Sequence, residues 1–312
     1  MKADARTKRA LALGSAQALR VLQDRRKALK RRARAVARAG GRPARTGPEA
    51  ALSALTEAAG GSASRGTLVA EGDSWFDYPW TDVLGCLEDD HGYDVDSVAH
   101  RGDRVEEMAY GEGQLAKLVR TIERLLRNGR VPRAILLSGG GNDIAGNEFA
   151  VLLDHAASPK PGLNEAILAA VIDERLRASY ATILGAVTAI SQQVLGATIP
   201  IVTHGYDYPV PDGRGFLGGW AFLPGPWLEP ALRQKGYQKM PERLAITGAL
   251  IDRFNRMLTG LVALPAFGHV RHVDLRGTLS RAPGGYKKWW ANELHPTRAG
   301  FERVAARFAG VL

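Results

Sequence analysis

The chain has 312 residues, 45% hydrophobic and 24% charged, with one cysteine, Cys86. That length and apolar content are enough to bury a large core, and a single cysteine excludes an internal disulfide framework or a Cys-rich zinc site. No run of about 18 apolar residues occurs, so a membrane-spanning helix is not expected, and the formal charge of +10 raises the question of where the charge sits.

Residues 1–50 hold 15 Lys and Arg against three acids, a net +12. The remaining 262 residues carry 27 bases and 29 acids, a net −2. The basic excess therefore belongs to an N-terminal arm. Its Ala, Leu and Arg favour helix, predicted over Leu11–Ala39, until Gly40, Gly41, Pro43, Gly47 and Pro48 break it. Residues 59–66 (AGGSASRG) read as a flexible linker. Residues 1–66 are thus expected to form a solvated arm, helical or partly disordered, plus linker, and residues 67–312 the body. Lys2–Arg9 followed by Ala16-Gln17-Ala18 resembles a leader, but Gly14 and Ser15 interrupt its apolar stretch. Secretion is not expected, and the cytoplasm is the favoured compartment. An anionic surface, lipid or nucleic acid, is the partner chemistry that residues 1–45 fit. No aromatic residue lies in residues 1–50 to stack on bases.

Five short apolar runs follow: Thr67–Ala70, Tyr93–Val98, Arg133–Leu137, Thr198–Thr203 and His269–Leu275. Runs of this kind fit buried parallel strands. Helical stretches lie between and after them, at 81–90, 104–128, 164–196, 241–263 and 297–310. Such alternation predicts a parallel sheet covered on both faces. Ligands bind such sheets beyond the carboxyl ends of the strands, so the strand exits carry the functional reading.

The first exit is Gly72-Asp73-Ser74-Trp75. A serine there can attack a carbonyl while its own N–H holds the oxyanion, although a helix-capping turn explains it equally well. The second exit, His100-Arg101-Gly102-Asp103, places a glycine where the backbone can approach a ligand. The third, Ser138-Gly139-Gly140-Gly141-Asn142-Asp143, offers an uncharged amide donor. It lacks the Gly-Lys-Ser/Thr of a phosphate-binding loop. Asn292-Glu293-Leu294-His295-Pro296 brings a histidine, the natural base for a serine at neutral pH, to the loop after the last strand.

In this order the four elements resemble the SGNH or GDSL hydrolase superfamily. Gly72-Asp73-Ser74 resembles its first block, Gly102-Asp103 its second, Gly140-Gly141-Asn142-Asp143 its third and Leu294-His295-Pro296 its last. The resemblance runs from Thr67 to the C-terminus and leaves the arm uncovered. It implies a flavodoxin-like three-layer α/β/α fold with a five-stranded parallel sheet. It implies Ser74 as nucleophile, His295 as base, and an oxyanion hole of the Ser74 and Gly102 N–H groups with the Asn142 side chain. It implies no cofactor and no metal. The family usually has Asp three residues before the histidine; here Asn292 stands there. Asn292, the adjacent Glu293 or a backbone carbonyl is then left to orient His295, with Asn292 or the carbonyl preferred.

Residues 206–240 carry seven aromatics and read as a lid or wall over the site, or else as a satellite core. Trp75, Tyr206, Trp220 and Phe222 are candidate wall residues. Asp77, Asp143 and Asp207 either meet polar substrate groups or cap helices. His204 ends the fourth strand within reach of the site. His269 and His272 fall on opposite strand faces, which disfavours a shared metal, and Cys86 reads as a packed small hydrophobe. The leading expectation is a lipase- or esterase-like hydrolase acting on a small-molecule or lipid ester. The alternatives are a carbohydrate O-deacetylase with the same machinery, a binding protein that acts through its basic arm, and, resting only on the glycine-rich exit, a nucleotide binder.

Overall fold

The computed structural model describes residues 3–38, 64–111, 113–218 and 223–312. The strands are β1 (Thr67–Glu71), β2 (Asp94–Ser97), β3 (Ala134–Leu137), β4 (Leu153–Asp154), β5 (Gly162–Leu163), β6 (Ile201–His204) and β7 (Val270–Val273). Five of them form one parallel sheet in the order β2-β1-β3-β6-β7, and β4 and β5 make a small antiparallel pair. Val69 pairs with Ile135, and Ile135 with Ile201. β1, β3 and β6 are buried along their whole length, as central strands covered on both faces must be. β2 is the exposed edge, and its Asp94 and Asp96 are held by Arg130 and Arg124. Charges of this kind protect an open edge from further pairing.

The fold is the expected three-layer α/β/α arrangement, and all five predicted sheet strands are present. β6 begins one residue after Pro200, which has no N–H to give to the ladder but whose carbonyl accepts from Ile135 N at 2.8 Å. The helices are α1 (Ala5–Arg38), α2 (Val83–Asp89), α3 (Val105–Tyr110), α4 (Gln114–Arg127), α5 (Arg177–Leu195), α6 (Glu229–Gln234), α7 (Met240–Val262) and α8 (Arg298–Ala309). The stretch predicted as one helix over 104–128 is two, divided at Gly111, with Gly113 at φ 109°. The 164–196 stretch is helical throughout, but Ala169–Leu176 is wound as π-helix. α2 packs against α8, and α5 packs against α3, α4 and α7. None of the helices among the described residues is long and apolar enough to cross a membrane.

The expectation of a solvated arm needs correcting over Ala5–Arg31. α1 is docked along α5, with Thr7, Ala10, Gly14, Ala18 and Leu22 buried at helical spacing. Small residues let the two backbones meet. A Cβ on Gly14 would lie 2.1 Å from the Thr182 carbonyl oxygen, and one on Gly185 would lie 3.1 Å from the Leu11 oxygen. Polar ties lock the register: Gln17 Nε2 donates to Ala109 O at 3.0 Å, and Arg25 pairs with Glu123 at 2.6 Å. Composition counts charge without helical phase, so it does not tell which face of a helix carries that charge. Arg9, Arg20, Lys27, Lys30 and Arg31 are exposed on the outer side, while the small residues face inward. The expected linker, apart from Ser64–Gly66, lies outside the described residues.

Candidate active site

The site is built at the carboxyl end of the sheet, where four chain turns converge. β1 ends at Glu71, and Ser74 follows three residues on, half-buried. Its turn is held by Phe76 N donating to Asp73 O at 3.0 Å and Trp75 N to Asp73 Oδ1 at 3.1 Å. Ser74 Oγ lies 2.8 Å from His295 Nε2. The other ring nitrogen, Nδ1, lies 3.0 Å from Asn292 Oδ1.

Asn292 fixes the tautomer. Its side-chain oxygen also receives the backbone N–H groups of Leu294 (3.0 Å) and His295 (2.9 Å), and its Nδ2 donates to Tyr78 Oη at 3.0 Å. Those contacts define which end of the amide is oxygen. His295 Nδ1 must then be the donor, and Nε2 is left bare to receive the Ser74 proton. Tyr78 stacks on the imidazole with centroids 4.3 Å apart, and Trp227 meets it edge-on at 5.4 Å. Burial pushes His295 down to about 3, because no carboxylate faces the ring to offset desolvation of its cation.

Glu293 is not the orienting residue. It is completely buried and turned the other way, accepting the N–H groups of Gly213 (3.0 Å), Trp227 (2.7 Å), Leu228 (2.8 Å) and Glu229 (3.0 Å). Burial raises its pKa, and those four donors oppose the rise. Glu293 thus ties the His295 loop to the start of α6.

Of the expected oxyanion donors, Ser74 and Asn142 line one pocket, and Gly102 lines an adjoining groove that also reaches Asn142. Gly102 adopts φ +89°, a conformation that excludes most side chains. Asn142 Nδ2 spends one hydrogen on Asp103 O at 2.9 Å, leaving the second free. Neither the Ser74 nor the Gly102 backbone N–H finds an acceptor among the described residues. An apolar pocket opens beside Ser74, walled by Ile144, Leu228, Leu250, Ile251 and Trp290. A polar groove carrying Gly102, Arg104, Glu148 and Trp227 joins it at Asn142.

The wall residues separate. Trp75 and Tyr206 line the apolar pocket, but both are more than nine-tenths buried and their polar atoms are committed. Trp75 Nε1 donates to Leu294 O at 3.1 Å, and the Tyr206 hydroxyl donates to Asp73 Oδ2. Trp220 and Phe222 lie outside the described residues. The three aspartates serve the scaffold: Asp77 accepts from Arg101 N (2.9 Å), Asp143 from Val105 N (3.0 Å), and Asp207 from Gly277 N (2.7 Å) and Leu279 N (2.6 Å). Cys86 is buried, which pushes its thiol up to about 12.

Sequence reasoning missed Tyr78 as the stacking partner of His295, Trp227 as its edge contact, and Ser138 as a partner of His204. Tyr78 was visible as one of four aromatics closely following Ser74. The Ser138 pairing had no local signal, since it joins residues 66 positions apart.

No family model and no curated protein matches the chain. Solved structures do match. One is a member of the lipolytic protein G-D-S-L family from Veillonella parvula, at 15% identity over 79% of this chain and 97% of that one, with a TM-score of 0.42. A catalytic mutant of an acetylxylan esterase from Geobacillus stearothermophilus matches at 13% identity over 79% and 94%, TM-score 0.41. An α/β hydrolase enzyme from the metagenome of Lake Arreo, Spain, matches at 12% over 80% and 95%, TM-score 0.42. The matched structures thus include the superfamily that the four motifs resemble.

Proposed function

We propose that the protein hydrolyses carboxylic esters through an acyl-enzyme on Ser74. The observation that carries this reading is the oriented relay Ser74 Oγ···Nε2–His295–Nδ1–H···Oδ1 Asn292, with separations of 2.8 and 3.0 Å. Ser74 Oγ attacks the ester carbonyl as His295 Nε2 takes its proton. The developing oxyanion is held by the Ser74 and Gly102 N–H groups and the free hydrogen of Asn142 Nδ2. The imidazolium returns the proton to the departing alcohol. Water, deprotonated by the same nitrogen, then releases the acid and frees Ser74. Asn292 orients the ring without supplying a negative charge.

Labelling with a fluorophosphonate ester tests the assignment. The adduct is expected on Ser74, and Ser74→Ala is expected to abolish both labelling and hydrolysis of a nitrophenyl ester. An adduct mapped elsewhere, or hydrolysis surviving the substitution, sinks the reading. Within it, the site supports a short acyl group on a polar alcohol, as in carbohydrate O-deacetylation, better than a lipase-like long chain. The apolar pocket beside Ser74 is the smaller of the two spaces, and the adjoining groove is polar. Nitrophenyl esters of rising chain length should show turnover falling beyond the shortest acyl groups.

A further inference from the structure

Directly beneath Ser74 lies a buried chain of polar side chains that the proposed reaction does not use. Asp73, Ser138 and His204 have at most 1% of their surface exposed, and Tyr206 has 5%. The hydrogen bonds can be assigned one by one. Tyr206 N donates to His204 Nδ1 at 3.3 Å, so that nitrogen is the acceptor and Nε2 carries the hydrogen. Nε2–H then donates to Ser138 Oγ at 2.8 Å, and the Ser138 hydroxyl donates to Asp73 Oδ1 at 2.7 Å. On the other carboxylate oxygen, Asp73 Oδ2 receives the Tyr206 hydroxyl. That hydroxyl in turn accepts from Gly141 N at 3.0 Å. Burial keeps His204 neutral, lowering it to about 3, as this sequence of donors requires.

The two anchor points of the chain are informative. Asp73 is the residue before the nucleophile, and Gly141 is the residue before Asn142. A single hydroxyl, that of Tyr206, therefore bridges the turn bearing Ser74 and the turn bearing the oxyanion amide. The approach is close. A Cβ on Gly141 would sit 3.2 Å from Tyr206 Cζ and 3.6 Å from Asp73 Oδ2, so the tyrosine ring occupies the space a side chain would need. Tyr206 itself holds φ +63°, which is uncommon for a non-glycine residue, and Trp75 and Phe254 pack on its ring. Strain at one position is tolerated where surrounding contacts over-determine it.

We propose that Asp73, Ser138, His204 and Tyr206 form a positioning network that sets the distance between the Ser74 nucleophile and the Asn142 oxyanion donor. The proposal rests on the hydrolase reading of Ser74 above. The network touches no reacting atom. It acts by holding two turns from different strand exits in register, and a misplacement of about 1 Å at such a site costs on the order of 10²-fold in rate.

Tyr206→Phe removes the bridging hydroxyl and keeps the ring. Ser138→Ala removes one oxygen between His204 and Asp73. Each is assayed with a short nitrophenyl ester alongside a melting curve. Tyr206→Phe is expected to lower kcat roughly ten- to a hundredfold, with KM within about twofold because the ring that lines the pocket is kept. Ser138→Ala, further from Gly141, is expected to lower kcat by a smaller factor, also without a KM change. Phosphonylation of Ser74 should slow in parallel, since its transition state uses the same oxyanion donors. A folded variant of either kind with kcat within twofold of the parent overturns the proposal. So does a loss that appears in KM alone. Should Tyr206→Phe fail to fold, Ser138→Ala decides the matter. Failure of the hydrolase reading is distinguishable, because the parent protein would then neither turn over the ester nor label on Ser74.

Discussion

Two serine–histidine pairs sit close together in this protein, and by distance they are the same. Ser74 and His295 are 2.8 Å apart, and so are Ser138 and His204. Both imidazoles are buried, both pack on aromatic rings, and desolvation takes both down to about 3. Their chemistry differs because of the third partner. Asn292 Oδ1 accepts from His295 Nδ1, which leaves Nε2 free to receive a proton from Ser74. Tyr206 N donates to His204 Nδ1, which makes Nε2 the donor and turns the Ser138 hydroxyl toward Asp73. A serine–histidine distance is therefore no evidence of a nucleophile until the far ring nitrogen has been assigned. Exposure follows the same division: Ser74 faces a pocket, whereas Ser138 is sealed.

The largest test of this contrast is His295→Ala, expected to lower kcat for a short ester by roughly 10²–10⁴-fold, the range for a lost general base. That loss should exceed those of the network variants. A His295→Ala enzyme within tenfold of the parent would erase the distinction between the two pairs. Next comes Asn292→Asp. In the parent, burial holds His295 neutral down to about 3, so the acid limb of kcat/KM is expected near pH 3 rather than near the ordinary histidine value. A carboxylate at Nδ1 stabilises the imidazolium and raises that pKa, so the limb should move to higher pH by a unit or more, lowering activity at pH 4 to 5. A pH–rate profile of both proteins measures the shift, and a parent limb already near 6.5 would contradict it. The smallest effect on chemistry is expected far from both pairs, at Gly14→Leu. The added side chain must push α1 off the Thr182 carbonyl, at a cost of about 1–3 kcal/mol. The melting temperature should drop by a few degrees while the pH profile stays put. An unchanged melting temperature would mean that α1 is not docked in solution.

The strand exits were legible because this fold presents function at fixed places. Once five short apolar runs are recognised, Ser74, Gly102, Asn142 and His295 fall on loops at one end of one sheet. The choice between Asn292 and Glu293 was not legible. Both are polar neighbours of the histidine loop, and the difference lies in which way a turn points each side chain. Glu293 is drawn to four backbone N–H groups from residues 64 to 80 positions away, a demand no local pattern reveals. The network beneath Ser74 was hidden for the same reason. His204 was visible at the end of its strand, but Ser138 read as part of a glycine-rich exit, and Tyr206 as substrate wall.

Charge gives the clearest division between sequence and structure. Composition alone places +12 in the first 50 residues and −2 in the remainder, because charge is additive along the chain. Whether those residues stand apart or join the body was decided by tertiary packing. The small residues Ala10, Gly14 and Ala18 share one face of α1, Gly185 opposes them on α5, and close backbone approach buries that face while leaving Arg9, Arg20, Lys27, Lys30 and Arg31 outward. Helical phase and the shape of the partner surface are properties of the folded chain, and the same holds for the ring nitrogen that distinguishes His295 from His204.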